Sequence, residues 1–204
     1  MMLQRSEPRL ILASASLSRR TLLAAAGLRF EVVPAPVDEA EIKRAARAAG
    51  MSAADTALAL ADRKASHVAG RNQDALVIGA DQILVCEGAW FDKPADREAA
   101  RGQLNALRGH SHTLTTGVVC HLGNTRVWYH LAEPFLTIRH FSDIFLESYL
   151  RAEGEAVTST VGAYRLEGLG VHLFERIEGD YAAILGLPLL PLLGFLRQHG
   201  VLVG

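Results

Sequence analysis

Asp81 closes an apolar run, Ala75-Leu76-Val77-Ile78-Gly79-Ala80, and Lys93 returns just past the next turn. A carboxylate at the end of a buried run must be paired or used, because burying a lone charge is costly. An acid and an amine in that setting make either a structural ion pair or a site for a charged ligand. With a turn at Glu87-Gly88, Lys93 falls opposite or diagonal to the Asp81–Gln82 pair. Other polar groups point to an anion. In LASASLSRR, Ser14 and Ser16 sit between a strand and a helix, where backbone N–H groups can cradle a negative charge. Arg19 and Arg20, one turn in, can close over it. Asp38 and Glu39 open another helix. Carboxylates such as Asp81 and the Asp38-Glu39 pair hold divalent cations, and lysine and arginine hold phosphates.

Lysine use sharpens this. The basic residues are nearly all arginine, with lysine only at Lys43, Lys64 and Lys93. A compact ammonium fits a tight phosphate pocket where a planar guanidinium does not. Lys64 lies at the edge of a helical apolar stripe, and Lys43 reads as a solvated surface lysine.

The elements that must carry these groups follow from periodicity. Strands are expected at Arg9–Ala13, Phe30–Pro34, Leu76–Cys86, Ala89–Phe91, His112–Leu122, Arg126–Ala132, Phe135–Arg139 and Val171–Ile177. Helices are expected at Leu17–Ala26, Ala40–Ala49, Ala53–Ala69, Asp96–Arg108, Ser142–Arg151 and Pro188–His199. A βαβ start followed by an antiparallel part predicts one α/β domain with two lobes. The 204 residues are half hydrophobic with a net charge of −1, which excludes a nucleic-acid binder driven by charge. Cys86 and Cys120 read as buried free thiols, and no cysteine/histidine cluster has zinc spacing. The N-terminal apolar run is too short for a signal peptide and nothing is long enough to span a membrane, so a cytoplasmic protein is expected.

Several long motifs, in order, carry a resemblance. They are LILASASLSRRTLLAAAGLRFEVVPAPVDE, ALALADRKA, VIGADQILVCEGAWFDKPADREAARGQLNALRGHSHTLTTGV and GAYRLEGLGVHLFERIEGDYAAILGLPL. The chain resembles the Maf family of nucleoside triphosphate pyrophosphatases over nearly its whole length. The resemblance implies a single two-lobed α/β domain over residues 1–204, with a mixed, partly antiparallel twisted sheet, surrounding helices and a central cleft. It implies metal-dependent hydrolysis, with Mg²⁺ or Mn²⁺, between the α and β phosphates, giving a nucleoside monophosphate and pyrophosphate. A homodimer, a house-cleaning role and a link to septum formation come with it. By position, Asp81 matches the family's proton acceptor. Glu39, Lys64 and Lys93 match its other polar site residues, and Ser14 and Arg19 its triphosphate turn. Asp81 and Glu39 would hold the metal.

Three family positions tune base choice, and they fall on Ser18, Gln82 and Glu167. Gln82 and Glu167 agree with the group that hydrolyses 7-methyl-GTP, whereas Ser18 departs from both known groups. A carboxylate accepts two hydrogen bonds from the N1–H and N2–H₂ edge of guanine and is repelled by the carbonyls of uracil or thymine. Trp90 and Tyr164 read as packing aromatics. Two other functions stay open: a dTTP/UTP pyrophosphatase of the same family, and a nucleotide-binding regulator of septum formation with little turnover. A structural domain whose ion pairs only stabilise is the third.

Overall fold

A computed structural model describes residues 3–204. Its elements, in chain order, begin with β1 (Arg9–Leu12), α1 (Leu17–Ala25), β2 (Glu31–Val32), α2 (Glu39–Ala48), α3 (Ala53–Ala69) and β3 (Ala75–Cys86). They continue with β4 (Ala89–Phe91), α4 (Arg97–Leu107), β5 (Ser111–Leu122), β6 (Thr125–Ala132), β7 (Phe135–Ile138) and α5 (Asp143–Glu153). The last are β8 (Phe174–Glu178), α6 (Tyr181–Ile184) and α7 (Leu189–Gln198). Strand order is β2-β1-β3-β5-β7-β8, with β4 on β3 and β6 on β5. The β1–β2 and β1–β3 ladders are parallel, and the β3–β4, β5–β6, β5–β7 and β7–β8 ladders are antiparallel. The mixed, partly antiparallel sheet expected of an α/β chain is therefore present.

The chain divides into two compact units. The first holds the residues up to Gln82, with Thr116–Ala132 and Asp180–Gly204. The second holds Ile83–Thr115 and Glu133–Gly179. Strands β3 and β5 each contribute residues to both.

In the first unit, the two-residue period of β1 and β3 sorts side chains onto two faces. Leu10, Leu12, Leu76, Ile78 and Ala80 join Leu23 of α1 and Leu192, Phe195 and Leu196 of α7 in one core cluster. Ile11, Ala13, Ala75 and Val77 pack instead with Ala65, Val68 and Ala69 of α3. Helix α3 comes unusually close. A Cβ on Gly79 would lie 2.2 Å from the Ala61 carbonyl oxygen, and one on Gly117 would lie 2.8 Å from the backbone of Ala57. Only glycine permits that approach at both strands.

In the second unit, β3 and β4 pair as Leu84↔Phe91, Val85↔Trp90 and Cys86↔Ala89. Glu87 and Gly88 both have positive φ, 49° and 79°, as a two-residue hairpin loop of this twist requires. Loop chemistry had predicted that register.

Other expectations need correction. β2 shrinks to two residues because prolines 34 and 36 end its pairing. The last strand begins at Phe174, since Leu169–Leu173 winds into a 3₁₀ turn. Further 3₁₀ turns at Gly154–Thr158 and Val161–Ala163, and the four-residue α6, carry too few residues to show a period and were not anticipated. Both cysteines are free and buried, as expected. No helix among the described residues is long and apolar enough to cross a membrane.

Candidate active site

The close approach of α3 at Gly79 decides the position of Lys64. Its ammonium lies 2.6 Å from Asp81 Oδ1 and 2.7 Å from Glu39 Oε1, bridging β3 and the first turn of α2. Asp81 is 3% exposed and Lys64 7%, while the Glu39 side chain is about half exposed. Asp81 Oδ2 is buried and has no hydrogen-bond partner. A native carboxylate oxygen left without a partner in the interior calls for an explanation.

Asp38 caps α2, its side chain accepting from the Glu41 N–H, which orients Glu39 at the helix start. Burial pushes the Glu39 carboxyl up. The Lys64 ammonium and its hydrogen bond, with Lys43 and Arg19, outweigh this and hold it below the usual carboxylate range. Lys43, expected on a solvated face, is 7% exposed. It sits one turn after Glu39 on α2, so its charge acts on the same carboxylate. Spacing alone held that signal, a Glu/Lys pair four apart, but burial could not be read from it.

The anion turn forms between β1 and α1. Ser14 Oγ accepts from the Ser16 N–H at 3.2 Å and from Arg19 Nη1 at 3.1 Å. Both its acceptor positions are then taken, and the hydroxyl proton is what it can still offer. Ser16 caps α1, accepting from the Arg19 N–H. Ser18 lies half-buried in the first turn of α1. Arg19 differs from the expectation of a side chain closing freely over a ligand. It is buried, with Nε donating to the Gly186 carbonyl and Nη1 to the Ala80 carbonyl, each at 2.8 Å. Burial lowers its pKa, against the fields of Asp81 and Glu39. Arg20 is exposed.

Gln82 leaves β3 on the face opposite Asp81. Its Nε2 donates to Thr116 Oγ1 at 2.8 Å and to the carbonyls of Ala183 and Ile184 at 3.0 and 3.2 Å. Asp180 caps α6, accepting from the Ala182 and Ala183 N–H groups. The segment Asp180–Gly186 is thus part of the same cluster, although no site residue was expected there.

Lys93 and Glu167 belong to the second unit. Lys93 follows β4 by two residues, beyond the last pair of the hairpin ladder. In the first unit Asp81 pairs with Lys64 of α3. Glu167 is exposed in a turn held by Glu153. Glu153 Oε2 accepts from Arg165 Nε and Nη2 at 3.0 and 2.9 Å, and Oε1 accepts from the Leu169 N–H. Tyr164 is a packing aromatic, bonded to His112 Nε2 at 2.7 Å and edge-on to Phe174.

No group of three or more histidine, cysteine, aspartate or glutamate residues suited to a metal occurs among the described residues. The donor set that does exist is the carboxylate pair Asp81 and Glu39, with one buried oxygen unengaged. Two openings of 460 and 290 Å³ lie elsewhere in the first unit, beside Asp74 and His199 and beside Pro34 and His67.

Comparisons with known proteins find relatives over nearly the whole chain. A nucleoside triphosphate pyrophosphatase of Granulibacter bethesdensis is 57% identical over 95% of this chain and 98% of its own. One of Paramagnetospirillum magneticum is 51% identical over 95% of this chain and all of its own. A 7-methyl-GTP pyrophosphatase of Rhizobium meliloti is 47% identical over 96% and 98%. Among solved structures, a nucleoside-triphosphatase (dITP/XTP pyrophosphatase) of Mycobacterium abscessus matches 65% of this chain and 75% of its own. Its 15% identity and TM-score of 0.35 are too low to carry an argument. The model for Maf-like proteins matches residues 9–199, from β1 to the end of α7, and the chain belongs to that family.

Proposed function

We propose that the chain is a metal-dependent nucleoside triphosphate pyrophosphatase. It would hydrolyse the α–β phosphoanhydride to a nucleoside monophosphate and pyrophosphate, with 7-methyl-GTP or a related purine preferred over dTTP and UTP. The observation that carries the reaction class is the buried Asp81 carboxylate, with one oxygen on Lys64 and the other unengaged. The names of the relatives from Granulibacter and Paramagnetospirillum support it.

Asp81 and Glu39 fit a Mg²⁺-type ion, which is commonly held by one or two carboxylates together with substrate phosphates and water. When bound, such an ion would neutralise phosphate charge and make the attacking water more acidic. Lys64 holds the two carboxylates close together. Oδ1 of Asp81 stays on that ammonium, and Oδ2 is the atom left for the cation or for the proton of the attacking water. Ser14 offers its hydroxyl proton, and α1 its first-turn N–H groups, to the triphosphate. Arg19 Nε and Nη1 are committed to other partners, which leaves Nη2 for phosphate. By family position alone, Lys93 is assigned to phosphate and Ser18, Gln82 and Glu167 to the base. The Glu167 carboxylate supports the purine preference, since it matches the donor edge of guanine. The name of the Rhizobium relative points the same way. A homodimer is part of the same proposal.

The test is pyrophosphate release with Mg²⁺ or Mn²⁺ on 7-methyl-GTP, GTP, dTTP and UTP, with Asp81→Asn as control. Release led by 7-methyl-GTP and lost in Asp81→Asn is expected. Release led by dTTP or UTP would keep the mechanism and overturn the base assignment. A folded protein with no release on any of them would favour a nucleotide-binding regulator.

A further inference from the structure

A pair of carboxylates such as Asp81 and Glu39 attracts a divalent cation by charge. In this chain the pair is already answered. The Lys64 ammonium stands 2.6 Å from Asp81 Oδ1 and 2.7 Å from Glu39 Oε1, between the two groups that would hold the ion. Arg19 is buried in the field of both carboxylates. Lys43 is buried one turn along α2 from Glu39. Beside the capping Asp38, three cations, each 7–8% exposed, therefore act on Glu39.

Charge in such a cluster decides which ligand can enter. A bare divalent cation brings two positive charges to carboxylates that already have ammonium partners. One ammonium about 6 Å away weakens its binding by about tenfold, even at the dielectric of water. A metal–triphosphate complex carries net negative charge, so the same ammonium attracts it. Pairing Glu39 requires one lysine, and Lys64 supplies it. Burying the second ammonium, Lys43, has a desolvation cost that an anionic ligand offsets. Asp81 Oδ2, buried and without a hydrogen-bond partner, is the ligand atom that the cluster leaves for the metal of such a complex.

We infer that Lys43 is a positioning residue of the site. With Lys64 it keeps the two carboxylates closed to a free divalent cation and open to one that arrives with its triphosphate. The inference rests on the proposed pyrophosphatase function. It goes further in naming the form of the substrate, a metal–nucleotide complex, and in giving Lys43 a part in admitting it. Lys43 acts through its charge on Glu39 and not on the reacting atoms.

Two constants of opposite expected sign test this. Mn²⁺ binding to the nucleotide-free protein is read from the loss of the free-ion EPR signal. KM for the best-cleaved nucleotide of the panel above is measured at saturating Mg²⁺. The wild type is expected to bind Mn²⁺ alone no tighter than about 1 mM, the weak end for oxygen-ligand sites. In Lys43→Met, Mn²⁺ alone should bind about tenfold tighter, while KM for the metal–nucleotide complex should rise about three- to tenfold. Lys43→Arg, which keeps the charge, should leave both constants near those of the wild type. A purely structural lysine would move both constants the same way or neither. Weakening of both in Lys43→Met, or no change in either, would therefore overturn the inference. Micromolar Mn²⁺ binding by the free wild type would also overturn it, and that measurement serves if Lys43→Met does not fold. A wild type that releases pyrophosphate from no nucleotide would instead sink the proposed function itself.

Discussion

Two buried carboxylates, Asp81 in the first unit and Glu153 in the second, are paired with cations but finished differently. Glu153 spends both oxygens, on two guanidinium donors of Arg165 and on the Leu169 N–H. Asp81 spends one oxygen on Lys64 and keeps the other buried and unengaged. A satisfied buried pair fixes local geometry and asks for nothing more. A half-satisfied one is unfavourable by itself and is explained by a ligand that completes it. The cation types fit this division. The guanidinium of Arg165 delivers two donors to one oxygen of a single carboxylate, while the compact ammonium of Lys64 is shared between two carboxylates.

The largest effect that could break the comparison is at Asp81. Asp81→Asn keeps the shape and removes the charge, and turnover is expected to fall by about 10²–10⁴, the range for a lost general base. Pyrophosphate release measures it, and near-wild-type turnover would remove Asp81 from the chemistry. Lys64→Met should be costly in both respects. It strands a buried carboxylate, so stability should drop by about 3–5 kcal/mol in urea unfolding, and turnover should be lost as well. A stable Lys64→Met protein would mean that the carboxylates do not need the ammonium to stay together.

Buried polar groups of the second unit are expected to act on stability and not on turnover. Burial pushes the His112 imidazole from its ordinary 6.5 down to about 4. The unfolded chain therefore binds a proton that the folded one refuses. This contribution is present above pH 6.5 and is lost as the pH falls toward 4. Between pH 6.5 and 5 it amounts to about 1.5 kcal/mol, visible as a slope in unfolding free energy that His112→Gln removes. The smallest effect is at Glu153→Gln. One oxygen remains for Leu169 and the half-exposed Arg165 can rehydrate, so the loss should be about 1–2 kcal/mol. Turnover per folded molecule should be unchanged. A large fall in kcat from that variant would erase the distinction between the two carboxylates.

Much of this was legible in the residues. Asp81 at the end of an apolar run, the helix start at Ser142 and the Glu87-Gly88 loop are local signals, and each sits where spacing put it. The pairing of Asp81 was not legible. Within the first unit an ammonium reaches Asp81 from Lys64 of α3, because glycines 79 and 117 let that helix settle onto the strands. Lys43 was misread for a similar reason. A helical wheel shows which residues share a face but not how deep that face lies.

The sequence alone determined what depends on near neighbours: the order of strands and helices, the hairpin register, the helix caps and the placing of Ser14, Arg19 and Asp81 at the ends of elements. Those follow from two-residue and 3.6-residue periods and from loop chemistry, which act over a few residues. The tertiary structure alone decided which distant groups meet. It brought Lys64 between Asp81 and Glu39, buried Lys43, and turned the Gln82 NH₂ to carbonyls 101 and 102 residues away. The physical reason is that a hydrogen bond or ion pair between remote residues is set by how closely whole elements pack, and differences of a few tenths of an ångström in backbone approach decide that packing.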